Sequence, residues 1–310
     1  MRITDNMIAN NSIYNLQQFQ TNINQLTLLT TSQQNINQPS DNPGATNTLL
    51  NINDSLNAIT QYQTNITNAT TSLNVANNAL TGITSSIEQA QELVDSISNG
   101  TIDASTQQSD VRQLQALKQQ IVDYGNTQSG NTYVFGGTSS TQPFSTANNT
   151  YNGNDNPSKI EVTKNTYQNV NISGDSLLTG TGSNPSYGST NILSTIDNLV
   201  TTLQNAPTDP TTAQQTATAT AIQRGATALA AGLSQVQNAT YDVTSRLQNL
   251  TAMSTMNTNN QTTLQNTVSN IQNVNLDTVG TELSQEQTAY QAALSATAQI
   301  SKMSLLNYLS

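Results

Sequence analysis

The sequence predicts a mainly α fold: a long antiparallel coiled-coil helical bundle with a small inserted β-rich domain. Three observations predict it. Read at seven-residue steps, Ala45, Ile52, Ile59, Ile66, Leu73, Leu80, Ile87 and Val94 are all apolar in a chain that is only 34% hydrophobic, a period that disorder has no reason to keep. A second train of the same length, Ile222, Leu229, Val236, Val243, Leu250, Asn257, Leu264 and Ile271, is apolar at every position but one. Between the two trains, from 131 to 206, the texture changes to aromatic, β-branched and turn residues in short alternating runs.

In chain order, Ile13, Leu16, Phe19, Ile23 and Leu26 recur at three- and four-residue steps, which predicts an amphipathic helix with one apolar stripe and a polar back. It fades around 33–38, and Pro39-Ser40-Asp41 turns the chain. Asn42 suits an N-cap with Pro43 at the first helical position, and Gly100 suits the left-handed residue after the last turn. The helix between them spans on the order of 80 Å. Beside its first seam runs a second one, through Leu49, Leu56, Tyr62, Ala69, Ala76, Ile83, Ala90 and Ile97, so the helix needs partners along its length. Leu114, Leu117, Ile121 and Tyr124 predict a shorter helix launched from Asp103 or Ser105 and closed near Gly130.

In the middle, KIEVT and NVNIS alternate apolar with polar residues and read as strands, whereas Ile192, Ile196, Leu199 and Leu203 return to helical spacing. Asp209-Pro210 repeats the Asn42-Pro43 device before the second train. Asn257 interrupts that train and reads as a wet end of the seam, with register fixing as the alternative. The last segment carries Leu276, Val279, Leu283, Tyr290, Ala293 and Ile300 on one stripe, then the apolar patch Met303, Leu305, Leu306, Tyr308 and Leu309.

Composition excludes several classes. Charged residues make up 8% of the chain, against about 25% in ordinary domains. About half of the chain is Asn, Gln, Ser and Thr. A net charge of −10 with eight scattered basic residues argues against nucleic acid, which needs clustered Lys and Arg. Apolar runs of membrane-spanning length are absent, so no membrane insertion is expected. The opening MRITDNMIANNS has neither the apolar core nor the cleavage site of a secretory signal. There is no His for acid–base or metal chemistry and no Cys for a nucleophile or a disulfide. Glu88 and Glu92 lie one helical turn apart and read as a solvated face. TGTGSNPSYG lacks the spacing of a phosphate-binding loop. No catalytic residue, cofactor or metal is expected, and the chain is expected not to be an enzyme.

Several motifs carry a family resemblance. The opening MRIT, the turn QPSDNPGA and the closing DTVGTELSQEQTAYQAALSATAQISKMSLLNYL resemble the two ends of the flagellin superfamily. Within it, YVFGGTSSTQPF followed by YNGNDNPSKIEV is more similar to the hook–filament junction proteins than to flagellin. One departure stands out: the segment Thr31-Ser32-Gln33-Gln34-Asn35 lacks the basic residue such proteins usually carry before the turn.

The resemblance implies three domains: a terminal coiled-coil assembly domain of 1–41 with 275–310, a long-helix rod of 42–135 with 207–274, and an outward β-rich insert of 136–206. It implies terminal-helix and subunit packing through Leu16, Phe19, Ile23 and Leu26 with Leu283, Tyr290, Ala293 and Ile300. It also implies an extracellular, mechanical role in the bacterial flagellum, with export through the flagellar type III apparatus without a cleaved signal. The partners implied are copies of the chain itself in a ring, hook-associated protein 1, flagellin, and an export chaperone on the C-terminal helix. Flagellin itself is the nearer alternative, and a secreted coiled-coil adhesin the farther one.

Overall fold

The computed structural model describes residues 5–99, 104–145, 148–182, 186–207 and 211–309, with the side chains of 5, 6, 8, 9, 99, 104 and 300–309 left outside that description. The helices are α1 (Asp5–Ser32), α2 (Pro43–Asn99), α3 (Ala104–Gly125), α4 (Ile192–Gln204), α5 (Thr212–Gln272) and α6 (Leu276–Leu309). Four short strands, β1 (Gln128–Ser129), β2 (Thr132–Tyr133), β3 (Lys159–Thr163) and β4 (Thr166–Asn169), form two antiparallel hairpins. The expected fold class is therefore observed. Gly100, Asp103, Asp209 and Pro210, expected at helix ends, lie outside the described residues. So do the side chains of Ile300, Met303, Leu305, Leu306, Tyr308 and Leu309.

The chain forms two compact units, 59–258 and the remainder, 1–58 with 259–310. In the first unit, four helical segments alternate in direction. Along α2 and α3, Gly82 lies under the ring of Tyr124 and Ser86 faces Gln120, so the two run antiparallel. A Cβ at Gly82 would sit 2.5 Å from that ring, so a larger residue there would require the Tyr124 ring to move. Lys118 pairs with Asp197 at 2.7 Å while Gln107 reaches the carbonyl of Ala206, which makes α3 and α4 antiparallel. Leu199 covers Gly225 and Ile192 covers Gly232, giving the same relation between α4 and α5. Three reversals leave α2 and α5 antiparallel, as their matching trains predict.

The seam positions Ile59, Ile66, Leu73, Leu80 and Ile87 on α2, and Leu229, Val236, Val243 and Leu250 on α5, are all buried. Asn257 is 1% exposed, so it is not a wet end of the seam. Its amide donates to the carbonyl of Val162 at 2.8 Å.

Two expected elements shift. The third helix closes at Gly125, not near Gly130, because the chain turns at once into the β1–β2 hairpin, with Gly130 at a positive φ of 64°. NVNIS is not a strand beyond Asn169. Asn165 takes φ 60°, so the tight Lys164-Asn165 turn returns the chain immediately, and the strand facing KIEVT is TYQN, with Lys159 opposite Asn169. A single π-helical turn, Asp175–Thr179, contributes buried Leu177 and Leu178. These residues, with Phe135, Phe144 and Ile172, belong to the same continuous apolar core as the helices. Tyr151 stitches the insert together: its ring packs on Phe144 at 5.4 Å, and its hydroxyl donates to the carbonyl of Phe135 at 2.9 Å.

Candidate functional site

The unit of 1–58 with 259–310 carries the surface best suited to a function. Its two terminal helices run antiparallel. The amide of Asn35 donates to the carbonyl of Gln272 at 2.7 Å, and further along Asn22 donates to Glu286 at 2.6 Å. The turn between α1 and α2 is tied to the α5–α6 connection. Gln33 takes φ 57°, Gln34 bridges Asn273, and Val274 donates back to Gln33. These backbone bonds occupy the stretch that lacks a basic residue. Asp41 then accepts from the amides of Asn37 and Gln38 at 2.9 and 3.0 Å, and those two bonds lower its carboxyl pKa. Asn42 accepts from Ala45 at 3.0 Å as the N-cap of α2, and Asn275 does the same for α6 through Asp277 and Thr278.

Sequence periodicity places Leu16, Phe19, Ile23 and Leu26 on one face of α1 and Leu283, Tyr290 and Ala293 on one face of α6. All seven are half-buried. Ile300 lies outside the described side chains. Among the described side chains of the α6 stripe Val279 is buried, and Ile52 is buried on α2. The physical reason for half-burial is simple: two single-striped helices cannot cover each other completely. Ile13 stays 52% and Tyr14 63% exposed, and Met7, Leu28, Leu276 and Leu294 are also exposed. Singly, such residues are ordinary; here they lie along the two terminal helices of one unit. A groove of about 420 Å³ runs between the helices, lined by Asn22, Gln25, Leu26, Leu29, Glu282, Gln285 and Glu286. It offers two carboxylates and no base.

The remaining polar chemistry is structural. Glu88 and Glu92 face solvent. Among the described residues no group of three or more His, Cys, Asp or Glu is placed to hold a metal ion. No described helix is long and apolar enough to cross a membrane. Tyr187 donates to Asp242 at 2.5 Å, and burial, followed by that carboxylate, holds its phenol well above the usual value. Asp242 is also held by Arg246 at 2.6 Å. Sequence reading missed the polar residues of α5 that engage the insert, Gln235 and Arg246. Their spacing of eleven residues from each other and on to Asn257 was the available signal.

No protein-family model matches the chain. Flagellar hook-associated protein 3 of Escherichia coli (strain K12) is 25% identical over 275 residues, covering 86% of each chain. Among solved structures, flagellar hook-associated protein 3 from Legionella pneumophila superposes with a TM-score of 0.63 at 18% identity, covering 71% of this chain and 98% of that one. The FlgL of Xanthomonas campestris superposes with a TM-score of 0.57 at 17% identity, covering 70% and 98%. At these identities the structural likeness is one of fold. The resemblance carried by the motifs is thus borne out: along most of its length the chain is similar in sequence to flagellar hook-associated protein 3, and it has the fold of the hook-associated proteins.

Proposed function

We propose that the chain is a structural adaptor of the bacterial flagellum, joining the hook to the flagellin filament. The observation that carries this reading is the similarity to flagellar hook-associated protein 3 over 86% of both chains. The part-covered α1–α6 surface supports it, because an adaptor ring needs apolar stripes that neighbouring copies complete. In this reading the chain meets hook-associated protein 1 on the hook side and flagellin on the other. A cytosolic chaperone covers the α6 stripe before export through the flagellar apparatus. The work is mechanical, and the chain catalyses nothing.

Deleting the gene in the source bacterium and imaging the cells by electron microscopy tests this reading. Hooks without filaments, with flagellin released into the medium, are the expected result. Cells that keep full-length filaments would overturn it. Cells that have lost filaments without releasing flagellin would point to the filament subunit itself.

A further inference from the structure

Three polar side chains on α5 are buried at intervals of eleven residues, which is close to three helical turns and keeps them on one face. Each donates to a main-chain carbonyl of the segment 162–190. Gln235 donates to Leu177 at 2.8 Å and to Thr190 at 3.1 Å. Arg246 donates to Asn171 at 2.6 Å, and Asn257 to Val162 at 2.8 Å. From the other long helix, Asn65 donates to Glu161 at 3.0 Å. Adjacent peptides of β3, those of Glu161 and Val162, are therefore held by α2 and α5 respectively. Two residues before Asn65, Gln63 of α2 donates to the carbonyl of Ser254 at 2.9 Å and accepts from its hydroxyl at 3.0 Å.

An apolar heptad seam does not choose its own register. Sliding α2 against α5 by seven residues again sets Ile, Leu and Val against one another, so the aliphatic seam taken by itself barely distinguishes the registers. The polar contacts do distinguish them. A slip of one heptad moves Asn65 or Asn257 by about 10 Å along the axis, away from its fixed carbonyl partner. For Asn257, which is buried, that carbonyl and the amide are then left unpaired, a cost that a seam of aliphatic side chains cannot recover; for half-buried Asn65 the loss is smaller.

We propose that β3 is a strap that sets the lengthwise register of α2 and α5, with Asn65 and Asn257 as its two fasteners and Gln235 and Arg246 holding the rest of the segment in line. The insert therefore acts on the fold of the long helices as well as riding on them. Because the strap reads main-chain carbonyls, its action is independent of the side chains that β3 and β4 present to solvent.

The chain has no cysteine, so two introduced cysteines are the only labelling sites. Thr81 and Thr251 are both exposed on their helices. Spin labels there report the axial offset of α2 and α5 by pulsed electron spin resonance in the full chain. After unfolding in denaturant and refolding, the doubly labelled parent should give a single distance population. Asn257→Leu, which completes the apolar train, should add a second population displaced by about one heptad, about 10 Å along the axis. Asn65→Ala, a milder change, should add a smaller fraction of the same population. A single unchanged population in both refolded variants would overturn the proposal, because the two residues would then contribute only ordinary hydrogen bonding. Failure of both variants to fold would overturn it too, since register choice would then be inseparable from stability.

Discussion

Leu73 is fully buried on α2, and its neighbour Asn74 faces solvent. Leu73→Asp, or Ile66→Asp, puts an unpaired carboxylate into the seam and should destabilise the unit of 59–258 by more than about 3 kcal/mol. Asn74→Asp should change stability by less than about 0.5 kcal/mol, as exposed substitutions usually do. By sequence position Asn65 and Asn74 look alike, since both flank an apolar heptad position. The structure separates them. Asn65 donates to the carbonyl of Glu161, and Asn65→Asp would set a carboxylate against that oxygen, costing about 1–3 kcal/mol. Urea midpoints of the four variants check this order. Equal losses at Leu73 and Asn74 would mean that the seam runs along a different face.

At the scale of elements, the two long helices and the terminal pair stand on different footings. α2 and α5 bury their seams almost completely between 66 and 97 and between 229 and 250. α1 and α6 bury theirs by half. Ordering each residue of a terminal helix costs about 1–2 kcal/mol in backbone entropy. Asn and Thr, in which α1 is rich, are poor helix formers. Isolated helices of this length are marginal in water. In the role proposed above, neighbouring copies add the apolar cover that the half-buried terminal helices lack. In the isolated chain, amide hydrogen exchange over 5–32 and 276–299 should be nearly as fast as in a free peptide, while 66–97 and 229–250 should be strongly protected. Strong protection across Leu283–Ala293 in the monomer would instead make the terminal pair self-sufficient.

Over the whole molecule, the notable property is how little of it titrates. The chain has no His and 8% charged residues, so stability should be flat through the range where histidines ionise. The groups whose ionisation is perturbed act at the two ends of the scale. Asp41 has a lowered carboxyl pKa, so what it adds is complete above 3.8 and is lost as the pH falls through its folded value. Tyr187 works in the opposite direction. Its folded pKa is raised above 10.0, so its contribution is complete below that pH and shrinks as the unfolded chain ionises above it. Tyr187→Phe should lower stability at neutral pH by about 1.5–3 kcal/mol, because it removes a bond to a charged partner. The same variant should also show a shallower alkaline decline. Urea unfolding followed from neutral pH to beyond the tyrosine range tests both. A sharp change near the pKa of a free histidine, about 6.5, would contradict the reading of the charge inventory.

The sequence by itself determined the seams, the antiparallel pairing of two long helices, and the Asn42-Pro43 start of α2. Each of these is written in local periodicity or in one capping residue. It determined the two terminal stripes for the same reason. Only the tertiary structure decided how those helices are fixed against one another. Every heptad of Ile52 to Val94 resembles the next, so lengthwise register is absent from the pattern. In the strap we propose, the degeneracy is broken by hydrogen bonds from Asn257 to Val162, across 95 residues of chain, and from Asn65 to Glu161. Tertiary contact likewise turned the expected wet end of the seam at Asn257 into a buried fastener. The second strand falls on TYQN, not on NVNIS, because a single residue, Asn165, adopts a left-handed conformation that the alternation of apolar and polar residues does not encode. Periodicity reports which face of an element is buried; which distant atoms meet that face is settled only when the chain closes on itself.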